Sequence, residues 1–320
     1  MDTAVAYREF ARSAYGSSPI YERLALGVAD DPEVLALLCE LPEPKRQPNL
    51  LFGAVALLTG ALPEYGEFRG WLLDHRDDVV EAMLARRTQT NEVGRCATLL
   101  PALGQLRGPL ALLEVGASAG LCLLLDRYGY DYAGHRVGPS DAELVLPCAP
   151  RGPVPLPSSV PEVVWRAGID LHPVDVFDDE EVRWLEALVW PDQPDRLDRL
   201  RTAVRIARRN PPRLIEGDLL HELIPLAAEA PADATLVVFH SAVLIYLSPA
   251  DRDHFAAQVQ SLPAVWLSNE DARVLPALAI PEHRADERSF VLSRAGRRVL
   301  ALTAPHGGWV EWVGDASAPG

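Results

Sequence analysis

The chain has 320 residues, of which 48% are hydrophobic, and carries a formal net charge of −15 at pH 7. The hydrophobic fraction allows a sizeable core, and the length allows two domains or one large one. The acidic charge argues against a general nucleic-acid-binding protein and against attraction to anionic membrane surfaces, because both need a basic face.

The cysteines and the apolar segments indicate a soluble, reduced protein. The four cysteines form no Cys-x-x-Cys pair, which argues against a zinc ribbon or a thioredoxin-type site. The N-terminus lacks the apolar core of a signal peptide, and the longest apolar run, residues 50–62, is too short to cross a bilayer. We therefore expect a cytoplasmic location, and the histidine spacing predicts no metal site.

The first third of the chain is predicted to be helical. Ser18-Pro19 and Asp31-Pro32 each combine a capping residue with proline at a first helical position. Apolar residues at helical spacing continue to about residue 105 without a strand pattern. We assign residues 1–108 to an all-helical N-terminal domain that serves as a lid or binds substrate.

From residue 109 the pattern changes to strands alternating with helices, which predicts a doubly wound, Rossmann-like, mostly parallel sheet. The strands are expected in continuous apolar runs, as in parallel strands covered on both faces. These runs are residues 109–115, 162–170, 212–218, 235–241 and 264–271. A C-terminal antiparallel hairpin is expected to turn at Ala295-Gly296. The predicted α/β core spans residues 109–320, with a helical insertion at about 178–210.

The most informative stretch is Glu-Val-Gly-Ala-Ser-Ala-Gly at residues 114–120, between the first apolar run and a predicted apolar helix. As Gly-x-Ser-x-Gly it matches a nucleophile elbow, which would make Ser118 the nucleophile of an α/β-hydrolase. As Glu-x-Gly-x-Ser-x-Gly it matches an altered nucleotide-binding loop, in which Ser118 is a turn residue beside a cofactor.

The rest of the sequence favours the cofactor loop over the elbow. An elbow follows several strands and uses oxyanion donors from an earlier loop, whereas the residues before 109 are predicted to be helical. The candidate donor segment His306-Gly307-Gly308 lies far downstream. His240, His283 and His306 all follow Ser118, so residue order alone does not exclude a catalytic triad.

Acids follow the second and third predicted strands, as a cofactor site requires. Asp170 ends the second strand, where a carboxylate can accept hydrogen bonds from ribose hydroxyls, and Asp218 follows the third. Either acid alone is more often a helix cap. Because the carboxyl ends of parallel strands meet in one crevice, we expect Gly116, Asp170, Asp218 and His240 to converge there.

This layout resembles a class I S-adenosylmethionine-dependent methyltransferase, with a glycine loop, an acid after the second strand, Gly-Asp after the third and a final hairpin. Nearly the whole chain also resembles a bacterial family of unknown function numbered 2332, through segments such as "LLEVGASAGLCLLLDRYGY", "VWRAGIDLHPVDV" and "VVFHSAVLIYLSP". The resemblance implies S-adenosylmethionine as the cofactor. The implied cofactor-binding residues are Glu114, Gly116, Ser118, Gly120, Asp170 and Asp218.

The sequence departs from the methyltransferase loop at one position. Ser118 stands where that family usually has a second glycine, and serine adds a Cβ and a hydroxyl where the backbone should approach the ligand. The hydroxyl could still donate to the carboxylate or the ribose of a cofactor. The departure leaves room for a loop that binds another nucleotide or none.

Residues 86–95, "RRTQTNEVGR", are dense in polar groups between two apolar helices. Thr90 or Asn91 could simply cap the helix that follows. Alternatively, Gln89, Asn91 and Glu92 bind the substrate and close over the crevice.

The leading hypothesis is methylation of a small-molecule acceptor by alignment of the acceptor with the methyl group. His240 is either a buried, hydrogen-bonded histidine or the catalytic base that takes a proton from the acceptor. Two alternatives stay open. One is an acyl hydrolase that uses Ser118, and the other is a non-catalytic nucleotide-binding or interaction protein.

Overall fold

The structure, a computed structural model, describes residues 2–89, 91–274 and 289–314. In these residues seven α-helices precede the first strand. They are α1 (Thr3–Ala14), α2 (Pro19–Ala29), α3 (Pro32–Glu40), α4 (Pro48–Thr59), α5 (Tyr65–Asp74), α6 (Arg76–Ala85) and α7 (Arg95–Leu103). Ser18 and Asp31 cap α2 and α3 by accepting hydrogen bonds from backbone N–H groups, and proline begins each helix, as the sequence predicts.

After α7 the chain forms a mixed α/β structure with a large, mostly parallel sheet. The strands are β1 (Leu110–Val115), β2 (Gly129–Tyr132), β3 (His135–Val137), β4 (Val145–Pro147), β5 (Ala149–Arg151), β6 (Val163–Asp170), β7 (Arg213–Glu216), β8 (Thr235–Ser241), β9 (Val265–Asp271), β10 (Phe290–Arg294), β11 (Arg298–Thr303) and β12 (Trp309–Trp312). The helices among them are α8 (Asp179–Ala187), α9 (Pro194–Arg209), α10 (Leu219–Ala227) and α11 (Pro249–Ser261). All five predicted apolar runs form strands, namely β1, β6, β7, β8 and β9.

The main sheet has the strand order β5-β12-β11-β10-β9-β8-β1-β6-β7. The pairs from β7 to β9 are parallel, whereas β10 is antiparallel to both β9 and β11. The predicted C-terminal hairpin is therefore present as β10 and β11, with Ala295 and Gly296 at positive φ in its turn. From β1 the chain proceeds outward to β6 and β7, then returns to β8 on the other side of β1. The order of the strands thus reverses between β1 and β8.

The side chains of β1 alternate between the two faces of the sheet. Ala111, Leu113 and Val115 join the apolar core on one face, which also contains Val238 of β8. Glu114 points to the opposite face, since successive side chains of a strand alternate. β1 is buried along its whole length.

The segment after the glycine loop differs from the predicted apolar helix, because residues Leu121–Arg127 form a 3₁₀ segment interrupted at Leu124. Side chains outside the segment donate hydrogen bonds to its carbonyl groups. The Tyr128 and Tyr130 hydroxyls donate to the carbonyls of Leu121 (2.7 Å) and Leu125 (2.5 Å). Arg166 Nη1 donates to the carbonyl of Leu123 (3.0 Å). These donors replace the backbone N–H groups that an α-helix would use. The chain then forms a separate small sheet of order β3-β2-β4.

The chain divides into two compact units. The helical unit comprises Met1–Thr90 and Phe177–Arg201, and the sheet unit comprises Asn91–Val176 and Thr202–Gly320. This division differs from the predicted boundary at residue 108 in two respects, the placement of α7 and the placement of α8 with the first half of α9. α7 belongs to the sheet unit, where Tyr132 Oη donates to the Ala97 carbonyl (2.6 Å). α8 belongs to the helical unit, where Trp184 lies in the core and Nε1 of its ring donates to the Arg87 carbonyl (2.8 Å).

Candidate functional site

The glycine loop, residues 116–120, joins β1 to the 3₁₀ segment. Gly116, Ser118 and Gly120 all have positive φ, at 70°, 49° and 66°. A Cβ at Gly116 would lie 2.4 Å from Cγ2 of Val243, and one at Gly120 would lie 2.6 Å from Cγ of Pro212. Backbone conformation and close packing therefore both require glycine at positions 116 and 120.

All five backbone N–H groups of the loop donate to acceptors of the chain itself. The acceptors are the Ile169 carbonyl for Gly116 (2.8 Å) and Ala117 (3.1 Å), Asp170 Oδ2 for Ser118 (2.8 Å), Asn91 Oδ1 for Ala119 (3.0 Å) and the Ala117 carbonyl for Gly120 (2.7 Å). A phosphate-binding loop instead offers its N–H groups to the anion, usually at the start of an α-helix. This loop is arranged differently on both counts.

Asp170 lies at the end of β6 and holds the loop by its carboxylate. Oδ2 accepts the hydrogen bond from the Ser118 N–H, and Oδ1 accepts one from the His172 N–H (2.9 Å). The carbonyl of Asp170 accepts from the N–H of Gly217, just after β7 (2.9 Å). The side chain is half-buried. Because a carboxylate oxygen can accept about two hydrogen bonds, each oxygen retains the capacity for another donor.

Asn91 also holds the loop, and unlike Asp170 it precedes the loop in the chain. Its Nδ2 donates to Ser118 Oγ (2.6 Å) and its Oδ1 accepts from the Ala119 N–H. Ser118 is 5% exposed. The structure thus brings together three predicted site residues, Asn91, Ser118 and Asp170, around one loop. Asn91 is a clamp on the loop rather than the cap of a helix at residue 92, since α7 begins at Arg95. The predicted cap alternative Thr90 lies outside the described residues.

Glu114, four residues before Ser118, is 7% exposed, and its Oε2 has no hydrogen-bond partner. Burial raises the pKa of Glu114 well above its ordinary value, because the charged form loses its hydration. Cys122 and Asp170 raise the pKa of Glu114 further, and the Arg95 guanidinium acts in the opposite direction. Burial therefore makes Glu114 easier to protonate than an exposed carboxyl group.

The other predicted binding residues lie in different surroundings. Glu92 is buried, and its Oε1 accepts a hydrogen bond from the Gly94 N–H (3.0 Å), while its Oε2 lies 3.9 Å from His306 Nδ1. Asp218 is exposed and caps α10 by accepting a hydrogen bond from Leu220 N–H (2.8 Å), which is the role of a helix cap. Gln89 is half-buried and belongs to the helical unit.

His240 is fully buried, and both of its ring nitrogens are engaged. Nε2 accepts from the Trp266 indole N–H (2.9 Å), so Nδ1 carries the proton of the neutral ring and donates to Glu270 Oε1 (2.7 Å). β1 and β8 pair with Glu114 beside Phe239, so His240, one residue later, points to the opposite face of the sheet from Glu114. These contacts are those of a buried, hydrogen-bonded histidine. A role as base stays a prediction, and it would require the bond from Trp266 to break.

Ser118 lacks the partner that a hydrolase nucleophile needs. Its Oγ accepts the amide N–H of Asn91, and no histidine of the described residues is hydrogen-bonded to it. A base must accept the hydroxyl proton for an elbow serine to attack. His283, one of the histidines considered for a triad, lies outside the described residues.

Sequence reasoning missed Arg95, the first residue of α7. The side chain is 6% exposed, with Nε donating to the Pro305 carbonyl (2.9 Å) and Nη1 to the Ser241 carbonyl (3.0 Å). Its guanidinium lies 5.5 Å from the centre of the Phe290 ring. One signal in the sequence could have indicated it. A cation in the first turn of a helix opposes the helix dipole, so its presence there suggests another role.

Neither a metal cluster nor a membrane-spanning helix is found in the described parts of the chain. No three or more His, Cys, Asp or Glu side chains in these ranges are grouped so as to hold a metal ion. None of the helices within residues 2–89, 91–274 and 289–314 combines the length and apolarity needed to cross a bilayer.

Comparison with known proteins identifies a family but no characterised relative. Residues 4–312 match the family model described as an uncharacterized protein conserved in bacteria (DUF2332). No curated protein and no solved structure matches the chain significantly. Because the match covers nearly the whole sequence, the chain belongs to the bacterial family DUF2332.

Proposed function

We propose that the crevice at the carboxyl ends of β6, β1 and β8 binds S-adenosylmethionine and that the protein transfers a methyl group to a small-molecule acceptor. The observation that carries this proposal is the glycine loop beside Asp170, whose N–H groups all donate to acceptors of the chain. The loop N–H groups are already bonded within the chain, so the groups left for a ligand are side-chain acceptors. An S-adenosyl ligand has ribose hydroxyls to donate and no phosphate.

The strand order supports a Rossmann-like, doubly wound core. If the parallel strands are counted in chain order as β1, β6, β7, β8 and β9, their order in the sheet is third, second, first, fourth, fifth. This is the order of the first five strands of the dinucleotide-binding fold. In such sheets the ligand binds where the order reverses, which here is between β1 and β8. The antiparallel β10 departs from the all-parallel pattern.

The residues present fit an S-adenosyl ligand on two observations. Asp170 ends the strand next to β1, and each of its oxygens can accept one more hydrogen bond, which suits the two ribose hydroxyls. Glu114 has a buried oxygen without a partner. Asp170 would hold the ribose and Glu114 the more polar end of the ligand. When bound, the sulfonium group supplies an electrophilic methyl group.

A phosphate-bearing cofactor suits this crevice less well. A phosphate would have to replace existing bonds of the loop N–H groups, each of which contributes about 1 kcal/mol. It would also lie near the Asp170 carboxylate and near Glu216, the exposed residue beside Asp170 in the sheet. A phosphate and these carboxylates carry charges of the same sign, which repel each other. NAD and nucleoside triphosphates are therefore disfavoured.

The contribution of the chain to methyl transfer would be alignment. Effective molarities for well-oriented reactants are large, so holding an acceptor in line with the methyl group can supply most of the rate enhancement. The loop is suited to this task because Asn91, which precedes it in the chain, and Asp170, which follows it, both hydrogen-bond to it. A lid formed by Gln89, Asn91 and Glu92 stays a prediction.

A non-catalytic binding protein is the second candidate. It is favoured by the position of His240, whose ring points away from the Glu114 face and has both nitrogens hydrogen-bonded. A protein that binds without transferring a methyl group needs no base. The acyl-hydrolase alternative has no comparable support, because Ser118 is bonded to Asn91.

Calorimetric titration of the full chain tests the proposal. We expect S-adenosylmethionine and S-adenosylhomocysteine to bind and NAD not to bind. Binding of NAD alone would contradict the account of the loop. Incubation with methyl-labelled cofactor and a small-molecule extract of bacteria then separates the two candidates. Transfer of label to a small molecule supports catalysis, whereas binding without transfer supports the non-catalytic protein.

A further inference from the structure

The position of Arg95 is energetically unfavourable for a charged side chain. It is the first residue of α7, where the helix dipole disfavours a cation, and it is 6% exposed, so its charge has lost most of its hydration. Buried charges are normally paired with an opposite charge. A buried guanidinium without such a pair indicates that something else compensates it.

The described partners of Arg95 do not neutralise it. Nε and Nη1 donate to the main-chain carbonyls of Pro305 and Ser241, and the Phe290 ring lies beside the guanidinium. Within residues 2–89, 91–274 and 289–314, Arg95 forms no ion pair, and its Nη2 has no hydrogen-bond partner. A guanidinium has five N–H donors. The two carbonyls therefore fix the group and leave donors for a further acceptor.

Arg95 lies beside the carboxyl ends of β8 and β1. Ser241 ends β8, one of the two strands between which the strand order reverses. Glu114 of β1 is near enough for Arg95 to influence its pKa, and Glu114 Oε2 is buried without a partner. Glu114 forms no ion pair with Arg95 in the described residues, and burial disfavours its charged form. Glu114 Oε2 on β1 and Arg95 Nη2 at the start of α7 thus both lack a hydrogen-bond partner in the described residues.

We propose that Arg95 binds the carboxylate of a small-molecule ligand in the crevice between β1 and β8. An arginine fork matches a carboxylate in shape and charge, and the bonds are strong because both groups are ionised. The inference rests on the proposed function only in placing both ligands in the same crevice. The carboxylate belongs either to the amino-acid part of the cofactor or to the acceptor, and the experiment separates these two sources.

The cofactor source is tested with a pair of ligands. S-adenosylhomocysteine carries a carboxylate, and 5′-methylthioadenosine lacks the amino-acid part. If the cofactor supplies the carboxylate, Arg95→Met should weaken S-adenosylhomocysteine about 10- to 100-fold and leave 5′-methylthioadenosine unchanged, since a hydrogen bond to a charged group is lost. Arg95→Lys keeps the charge without the fork and should give a smaller loss.

The acceptor source is tested with acetate, which any carboxylate site should bind weakly. We expect acetate to raise the melting temperature of the wild type more than acetamide does, or chloride at equal ionic strength, because a ligand of the folded state stabilises it. If the acceptor supplies the carboxylate, this effect persists with S-adenosylhomocysteine bound and disappears in Arg95→Met.

The wild type alone keeps the proposal falsifiable if the variants fold poorly. The proposal is overturned if acetate acts no differently from acetamide and S-adenosylhomocysteine binds no more tightly than 5′-methylthioadenosine. Failure of the proposed function would give a different result, in which neither S-adenosylhomocysteine nor 5′-methylthioadenosine binds. The acetate comparison then decides the role of Arg95 by itself.

Discussion

Replacing Ser118 by glycine should leave the sheet unit nearly as stable as the wild type, whereas replacing it by valine should destabilise it strongly. Ser118 has φ of 49°, and its Oγ accepts a hydrogen bond from Asn91 Nδ2 at 2.6 Å. Glycine removes a left-handed strain of about 1–2 kcal/mol. It also loses a hydrogen bond of about 1 kcal/mol and increases the freedom of the unfolded chain by a similar amount. These changes nearly cancel.

Valine has no such compensation. It keeps the positive φ with a β-branched side chain, loses the hydrogen bond and adds methyl groups where the wild-type residue is 5% exposed. Overpacking costs about 1–3 kcal/mol and the lost bond about 1 kcal/mol, so we expect a total loss of about 2–4 kcal/mol. Ala133→Gly is a matched control. Ala133 has φ of 53° in an exposed turn, so glycine there relieves strain without loss of a side-chain bond.

Urea unfolding and titration with S-adenosylhomocysteine measure both effects. We expect Ser118→Gly to retain binding and Ser118→Val to lose it. If glycine lost as much affinity as valine, the hydroxyl itself would be required, and the argument from size and backbone conformation would be refuted. A fluorophosphonate probe separates the hydrolase. We expect no adduct, because Asn91 rather than a histidine contacts Ser118, and a stoichiometric adduct on Ser118 would make the protein a serine hydrolase.

Three further predictions concern the residues around the loop. Asp170→Ala should weaken S-adenosylhomocysteine by about 1.5–3 kcal/mol in calorimetry, and Asp233→Ala, an exposed acid before β8, should leave affinity unchanged. Asn91→Ala removes two hydrogen bonds to the loop and should lower unfolding free energy by about 1–3 kcal/mol, measured in urea; an unchanged midpoint would contradict the clamp. Because the pKa of Glu114 is raised in the folded state, wild-type stability should fall as pH rises from the ordinary carboxyl range toward that raised pKa. Glu114→Gln imitates the protonated form, so its melting temperature should rise increasingly above that of the wild type as pH increases beyond about 5, and a pH-independent difference would count against this account.

The strands of the main sheet could be predicted because their signal is local. β8 lies where a continuous apolar run stands in the sequence, and β6 ends at the predicted acid Asp170. The 3₁₀ segment could not be predicted in the same way. Its residues have the apolar spacing of a helix. However, the hydroxyl groups of Tyr128 and Tyr130 donate hydrogen bonds to carbonyl groups that backbone N–H groups would bind in an α-helix. Hydrogen bonds from these side chains thus override the helical preference of the apolar spacing.

The candidate site, too, could be predicted from the sequence only in part. Loop glycines and the acid at a strand end are local features, and the sequence indicates them. The position of the Arg95 side chain depends on carbonyl groups 146 and 210 residues away along the chain, at Ser241 and Pro305. The environment of His240 depends on Trp266 and Glu270 from the neighbouring strand. A single sequence offers no pattern from which those partners can be read.

A glycine motif indicates the backbone conformation of a loop. Which ligand the loop can bind depends on whether its N–H groups are already hydrogen-bonded within the chain. Positive φ at Gly116 and Gly120 is compatible with a phosphate loop, an elbow or a cofactor turn. Here Asp170 and Asn91 take N–H groups that a phosphate would need. Contacts to a ligand would therefore come from side chains, which in the proposed site are an acid for hydroxyl donors and an arginine for a carboxylate. That combination suits a nucleoside joined to an amino acid better than a dinucleotide, because it recognises hydroxyl and carboxylate groups without recognising phosphate.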